Sequence, residues 1–201
     1  MQNRYGVDVA ARRADDLDKK MIAYVGAHNR CSVLDLGAGS GGQSVRMAEA
    51  GAQVTAVDIG ICEPFLKHED VTFVLGDIRN IAFLTGDAVY DICCFQRTLH
   101  YLAYDEALAL LIYLKKHITK KLFVSVTGIE SDIGLHYAHT HKPVTERFSP
   151  LSQTDAETFS ITQPVCLYTP EEFIMLLQAA GWEIEACWVS AFGNIKAVCY
   201  V

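Results

Sequence analysis

An apolar run, Val33-Leu34-Asp35-Leu36, passes without a break into Gly37-Ala38-Gly39-Ser40-Gly41-Gly42, and a helical stretch follows from Gln43 to Ala50. A strand that turns this sharply into a helix needs residues without side chains, because a Cβ there collides with anything drawn close to the turn. A second apolar run, Val54 to Val57, then ends in Asp58. Gly37-x-Gly39-x-x-Gly42 followed by an acid is also the spacing of the dinucleotide fingerprint. The glycines alone therefore do not choose the ligand. Asp35 does much of the choosing, since pyrophosphate at a helix N-terminus gains nothing from a neighbouring carboxylate, whereas a cationic ligand gains a charge-assisted hydrogen bond.

Two further segments continue the pattern. Gly76-Asp77-Ile78 follows the apolar run Val71 to Leu75, and Tyr90-Asp91-Ile92-Cys93-Cys94-Phe95-Gln96 reads as a fourth strand. In this order and spacing the chain resembles the class I S-adenosylmethionine-dependent methyltransferases over nearly its whole length. The resemblance implies S-adenosylmethionine as cofactor, its ammonium and sulfonium matching the cationic ligand that Asp35 favours. Asp35, Gly37, Ala38, Gly39 and Gly41 would form the first cofactor loop. Asp58, with Ile59 beside it, would be directed at the ribose, Asp77 and Ile78 at the adenine, and Gln96 at the methyl end. The hinge before the fifth strand departs from the family's frequent Pro-Gly-Gly turn and reads Lys115-Lys116-His117-Ile118-Thr119-Lys120-Lys121. A solvated charged face is the expectation there.

Alternating strands and helices predict an α/β fold, a Rossmann-like doubly wound sheet with helices on both faces. Strands are expected at Ser32 to Leu36, Gln53 to Asp58, Val71 to Leu75, Tyr90 to Phe95 and Lys121 to Val126. Helices are expected at Val7 to Ala27, Gln43 to Ala50, near Glu63 to His68 and Tyr104 to Ile118, with a loop or short helix near Asn80 to Thr85. Thr169-Pro170-Glu171-Glu172 reads as a capped helix start and Gly181 as its end. Trp182 to Ser190 and Asn194 to Val201 read as a terminal hairpin. The resemblance implies seven strands, the last antiparallel between the fifth and sixth. From about 128 to 167 these signals fade, and an insertion of that length is expected to act as a lid over the acceptor.

Methyl transfer is an in-line displacement at an activated carbon, which needs alignment, exclusion of water and, for a weak nucleophile, a base. Position therefore selects the candidates. His100 and Tyr101 stand on the crest beyond the fourth strand, where ligands of open α/β sheets bind, and His100 is the candidate base. Tyr137, Phe148 and Phe159, with His136, His139 and Arg147, are expected to line the lid. If the stretch is helical, His136 and His139 share a face and could join Asp132 at a metal, but no metal is expected. Arg4 and Tyr5 are candidates to fold over the cofactor.

With 201 residues and 51% apolar composition, the chain is expected to form a single domain. Its seven cysteines suit reduced core thiols, with Cys93 and Cys94 on opposite faces of a strand. No apolar run spans a membrane and Met1 to Asp8 has no signal-peptide pattern, so a cytoplasmic protein is expected. A net charge of -7 offers no general attraction to nucleic acid, and a small-molecule acceptor is preferred over tRNA or protein. A cofactor-binding regulatory subunit is the rival from another class. Neither the acceptor atom nor the oligomeric state is readable from sequence.

Overall fold

The computed structural model describes residues 5–6, 8, 13–28, 30–60 and 68–201. The elements run α1 (Asp16–Ala27), β1 (Ser32–Leu36), α2 (Gly42–Glu49), β2 (Gln53–Asp58), β3 (Val71–Leu75), α3 (Ile81–Thr85), β4 (Tyr90–Gln96), α4 (Tyr104–His117), β5 (Ile118–Thr127), α5 (Gln153–Phe159), α6 (Pro170–Ala179), β6 (Glu183–Val189) and β7 (Asn194–Tyr200). Seven strands form one sheet in the order β3-β2-β1-β4-β5-β7-β6. The first five are parallel, and β7 lies antiparallel between β5 and β6. This is the arrangement the resemblance implied.

Period-two alternation divides the buried residues of β1 and β4 between two cores. Leu34, Leu36, Cys93 and Phe95 pack with α4 and α6, through Leu110, Leu111, Leu114, Phe173, Leu176 and Leu177. Val33, Ile92 and Cys94 pack on the other side with Leu17, Met21 and Val25 of α1 and Met47 of α2. Cys93 and Cys94 therefore do face opposite sides. The six cysteines among the described residues are free thiols. No helix among the described residues is long and apolar enough to cross a membrane.

Some boundaries differ from expectation. The first helix begins at Asp16, where Asp15 and Asp18 form a reciprocal capping box, rather than near Val7. Residues 7, 9–12 and 61–67 lie outside the described set, and with them the early part of that helix and most of the helix expected at Glu63 to His68. β5 starts at Ile118, and three of the four lysines in this run have local partners. Lys115 lies 5.2 Å from the centre of the Trp182 ring, Lys120 pairs with Asp91 at 2.9 Å, and Lys121 pairs with Glu185.

The insertion has structure of its own. It contains a 3-10 turn at Val144–Glu146, helix α5, and a small core of its own in which Tyr137, Leu151, Ile161, Val165 and Leu167 meet Tyr101. Arg147, expected to orient a ligand, is instead an internal strut, 3% exposed. Its Nη1 donates to the Leu167 carbonyl at 2.7 Å and to Glu172 at 2.6 Å, and its Nη2 donates to Glu172 and to the Lys142 carbonyl, both at 2.8 Å. The Tyr137 hydroxyl is likewise spent, donating to the carbonyls of Val165 and Arg147. A forked guanidinium joining the insertion to α6 leaves a buried charge behind when it is cut. Arg147→Ala is expected to cost about 3 kcal/mol in urea denaturation, and Arg147→Lys to recover little of it, since an ammonium lacks the planar fork. An unchanged midpoint would remove this strut from the account.

Candidate functional site

The glycine loop is clamped onto the end of β2. Gly37 and Ala38 N–H both donate to the Val57 carbonyl, at 2.9 and 3.2 Å. Gly37 has φ +71°, and a Cβ there would stand 2.2 Å from the Thr98 hydroxyl, so backbone of the first crossover touches a side chain on the crest beyond β4. Asp58 finishes the clamp, one carboxylate oxygen accepting from Gly39 N–H at 2.8 Å and the other from Gly60 N–H at 2.9 Å.

Above this loop, at the carboxyl edge of the parallel strands, lies a cavity of about 730 Å³. It sits where the strand order reverses between β1 and β4, the usual ligand crevice of such sheets. Six carboxylates line it, from Asp8, Asp18, Asp35, Asp58, Asp77 and Asp132, against the two arginines Arg79 and Arg97. Arg79 is committed to Asp77 at 2.6 Å and Glu106 at 3.3 Å.

Asp35 occupies the α1–α2 side of the sheet, where β-strand alternation otherwise places apolar groups. It is 3% exposed and accepts a hydrogen bond from Ser44 of α2. Burial pushes its pKa from 3.8 up to about 6, the Ser44 and Cys94 hydrogen bonds opposing that rise. Asp18 of α1 is similarly raised by burial, and the Gln96 amide donates to it. Two acids thus stand desolvated side by side, an arrangement that a cationic ligand relieves.

The crest beyond β4 folds as a 3-10 turn over Leu99–Tyr101. His100 is 2% exposed, and burial followed by the Arg97 charge lowers its pKa to about 3. Its imidazole is neutral at physiological pH, and its Nδ1 is buried without a hydrogen-bond partner. The Tyr101 hydroxyl donates to the Tyr5 carbonyl at 2.7 Å, and the two rings meet edge to face at 5.1 Å. Burial pushes the Tyr101 phenol well up, which leaves it a fixing group for the N-terminal arm. That arm is tied on both sides of the cavity. Gly6 N–H donates to the Ser160 carbonyl at 2.9 Å, and Asp8 accepts from Ser40 N–H at 2.7 Å.

Of the residues singled out from sequence, Asp35, Gly37, Ala38, Gly39, Asp58, Ile59, Asp77, Ile78, Gln96, His100 and Tyr101 all line this cavity, as do Tyr5 and Phe159. Gly41 does not. It is the N-cap of α2, with φ +82°, and serves the turn itself. His136, His139, Tyr137, Phe148 and Arg147 are also absent from the lining. Residues 132–139 form turns rather than a helix, so Asp132, His136 and His139 share no helical face, and His136 is exposed beside Asp155, 3.4 Å away. Arg4 lies outside the described residues. Sequence reasoning missed Asp18, Gln43, Arg97, Thr98, Ser131 and Asn194, which also line the cavity. Asp18 alone carried a signal, as a polar residue flanked by the buried Leu17 and Met21 of α1.

Residues 33–121 match the profile of a family described as methyltransferase domain. A Streptomyces protein, the cypemycin N-terminal methyltransferase, is 35% identical over 108 residues, which cover 49% of this chain and 43% of that protein. The chain thus spans less than half the length of this curated relative. Among solved structures, the Burkholderia thailandensis 1,6-didemethyltoxoflavin N1-methyltransferase, solved with its acceptor and S-adenosylhomocysteine, superposes with a TM-score of 0.70 at 21% identity over 96% of this chain and 78% of that one. A Rhodobacter sphaeroides protein described as a putative zinc-dependent alcohol dehydrogenase superposes with a TM-score of 0.71 at 16% identity, over 96% and 92% of the two chains. Fold alone is therefore shared across different names, and the sequence match decides between them. Residues 33–121 thus match a methyltransferase domain.

The matched part of the methyltransferase domain runs from the glycine loop to the start of β5. It holds Asp35, the glycines, Asp58, Asp77, Gln96 and His100, whereas Tyr5, Asp8, Asp18, Ser131, Phe159 and Asn194 come from outside it. One part of the cavity lining thus lies within the matched region and the other outside it.

Asp35 has a definite pH signature. Its folded pKa is raised, so its contribution to stability is fully present below 3.8 and is lost as pH rises through about 6. Asp35→Asn is expected to raise the neutral-pH stability of the ligand-free protein by up to about 3 kcal/mol and to flatten the stability profile between those two values. Chemical denaturation across that range, with wild-type and variant curves superimposing, would reject the burial of a costly carboxylate.

Proposed function

We propose that this protein transfers a methyl group from S-adenosylmethionine to a small-molecule acceptor and releases S-adenosylhomocysteine. The observation that carries the reading is the carboxylate-rich cavity at the sheet's switch point, built on the glycine loop. Such a chamber suits a ligand bearing an ammonium and a sulfonium and repels pyrophosphate. In this reading Asp35 and Asp18 neutralise the amino-acid end of the cofactor, directly or through Ser44 and Gln96. Asp58 and Ile59 flank the ribose, and Asp77 and Ile78 flank the adenine. The main-chain N–H groups held by Asp58 keep the loop shaped before the cofactor arrives, which limits the ordering cost of binding.

The insertion then forms the acceptor wall through Ser131, Ile133, Phe159 and Ile161, and excludes water from the displacement. His100 serves as a neutral hydrogen-bonding group that positions the acceptor, since an imidazole with a pKa near 3 is a poor proton acceptor. A compact cytoplasmic enzyme without nucleic-acid partners fits this size of cavity and the acidic composition. The name of the Streptomyces relative favours a second acceptor class, the amine at a peptide N-terminus.

Labelled S-adenosylmethionine incubated with the protein and a cell-extract metabolite pool is expected to yield a small labelled product. Label in a peptide fraction would favour the second class, and no transfer would favour a binding protein. Asp58→Ala is expected to weaken S-adenosylhomocysteine binding in calorimetry by roughly tenfold to a hundredfold while the protein stays folded. Unchanged affinity would remove Asp58 from the cofactor site. With the product assay in hand, His100→Ala should lower kcat far more than cofactor affinity, and His100→Gln should restore part of the loss. If kcat instead shows an inflection near the ordinary imidazole pKa that His100→Gln abolishes, His100 is the general base.

A further inference from the structure

One cation that lines the cavity has no direct partner among the described residues. Arg97 makes no side-chain hydrogen bond or ion pair among the described residues, in contrast to Arg79, and its Nε is buried without a partner. Three residues on, His100 is almost wholly buried and its Nδ1 is unpartnered as well. Both line the same cavity, on the same crest. Leaving a buried donor unsatisfied is costly, more so when it is charged, so two such groups together mark a place where a ligand supplies the missing partner.

The backbone strengthens this assignment. Arg97 has φ +49°, a left-handed conformation that costs an arginine free energy and a glycine almost none. It is held there because its N–H donates to both the carbonyl and the hydroxyl of Ser125, at 3.0 and 3.1 Å. The turn gives no reason for an arginine, so the reason lies in the side chain. The insertion adds an apolar patch to the cavity wall, Ile133, Phe159 and Ile161, beside the polar Ser131, Asp132 and Thr158. Asp132 also lines the cavity but is exposed and forms no ion pair with Arg97.

We infer that Arg97, with His100 beside it, anchors an anionic oxygen group on the acceptor, so that the substrate is a small organic acid with an apolar body. This rests on the methyl-transfer reading and names the acceptor class within it. A guanidinium gives a carboxylate two parallel N–H donors, and the apolar wall accepts the ring or chain that carries the acid.

Calorimetry on the S-adenosylhomocysteine-loaded protein tests the inference with two matched pairs, benzoate against benzamide and indole-3-carboxylate against its amide. Each acid is expected to bind on the order of tenfold tighter than its amide. Arg97→Gly should abolish that preference, leave S-adenosylhomocysteine affinity unchanged and hold or raise Tm, because it relieves the left-handed backbone. Arg97→Lys should keep part of the preference. A purely structural arginine predicts the reverse, a lowered Tm with the preference intact. Equal affinity for acid and amide, no saturable binding of either up to millimolar concentration, or a preference that survives Arg97→Gly overturns the inference. Absence of S-adenosylhomocysteine binding in the wild type would instead remove the methyl-transfer reading beneath it.

Discussion

The site depends on one close approach, the backbone of Gly37 against the side chain of Thr98. β1 and β4 are neighbours in the sheet, and their loops diverge to opposite sides. Only a residue without a Cβ allows the first loop to leave the sheet directly beneath the crest of the other. From that contact follow the doubled hydrogen bond to the Val57 carbonyl, the reach of Gly39 to Asp58, and the position of Arg97 and His100 across the cavity from the carboxylates. A methyl group at Gly37 would push the crest away and open the two walls together.

The electrostatics of the two walls are opposite in sense. On the α1 side, burial holds Asp35 and Asp18 above their ordinary pKa; on the crest, burial holds His100 below its own. Asp35 loses its contribution to stability as pH rises through about 6, whereas His100, neutral when folded, gains its contribution as pH rises toward 6.5. The two slopes oppose each other in mildly acidic solution, so a flat global profile there conceals two perturbed groups. Both perturbations come from removing water before any ligand is present, as a preorganised site requires.

Most of the sheet was legible because its signals are local. Apolar runs, glycines and the Thr169-Pro170 start each state a conformation within a few residues, and β1, β2 and β3 fall where the pattern places them. The loops that line the cavity after β1, β2 and β3 were legible for the same reason, since each directly follows its strand. The rest was settled by contacts distant in sequence. Asp18 reaches the cavity only because α1 packs on the β1 and β4 face. Arg97 acquires its conformation from Ser125, and the arm at Tyr5 its place from Ile161 and Tyr101. Arg147 reads as a ligand group in isolation and becomes a strut once Glu172, twenty-five residues on, supplies its fork.

The insertion has its own hydrophobic cluster, separate from the two that cover the faces of the sheet, and joins the crest through Tyr101. Mutational cost is therefore partitioned along the cavity. Substitutions at Ile133 or Phe159 disturb a small satellite core, while those at Leu34 or Phe95 disturb the core on which folding depends. Distant sites of this kind add almost independently in free energy. The insertion is thus the part of the cavity lining that tolerates substitution at least cost to the fold, and the glycine loop the part that tolerates it worst.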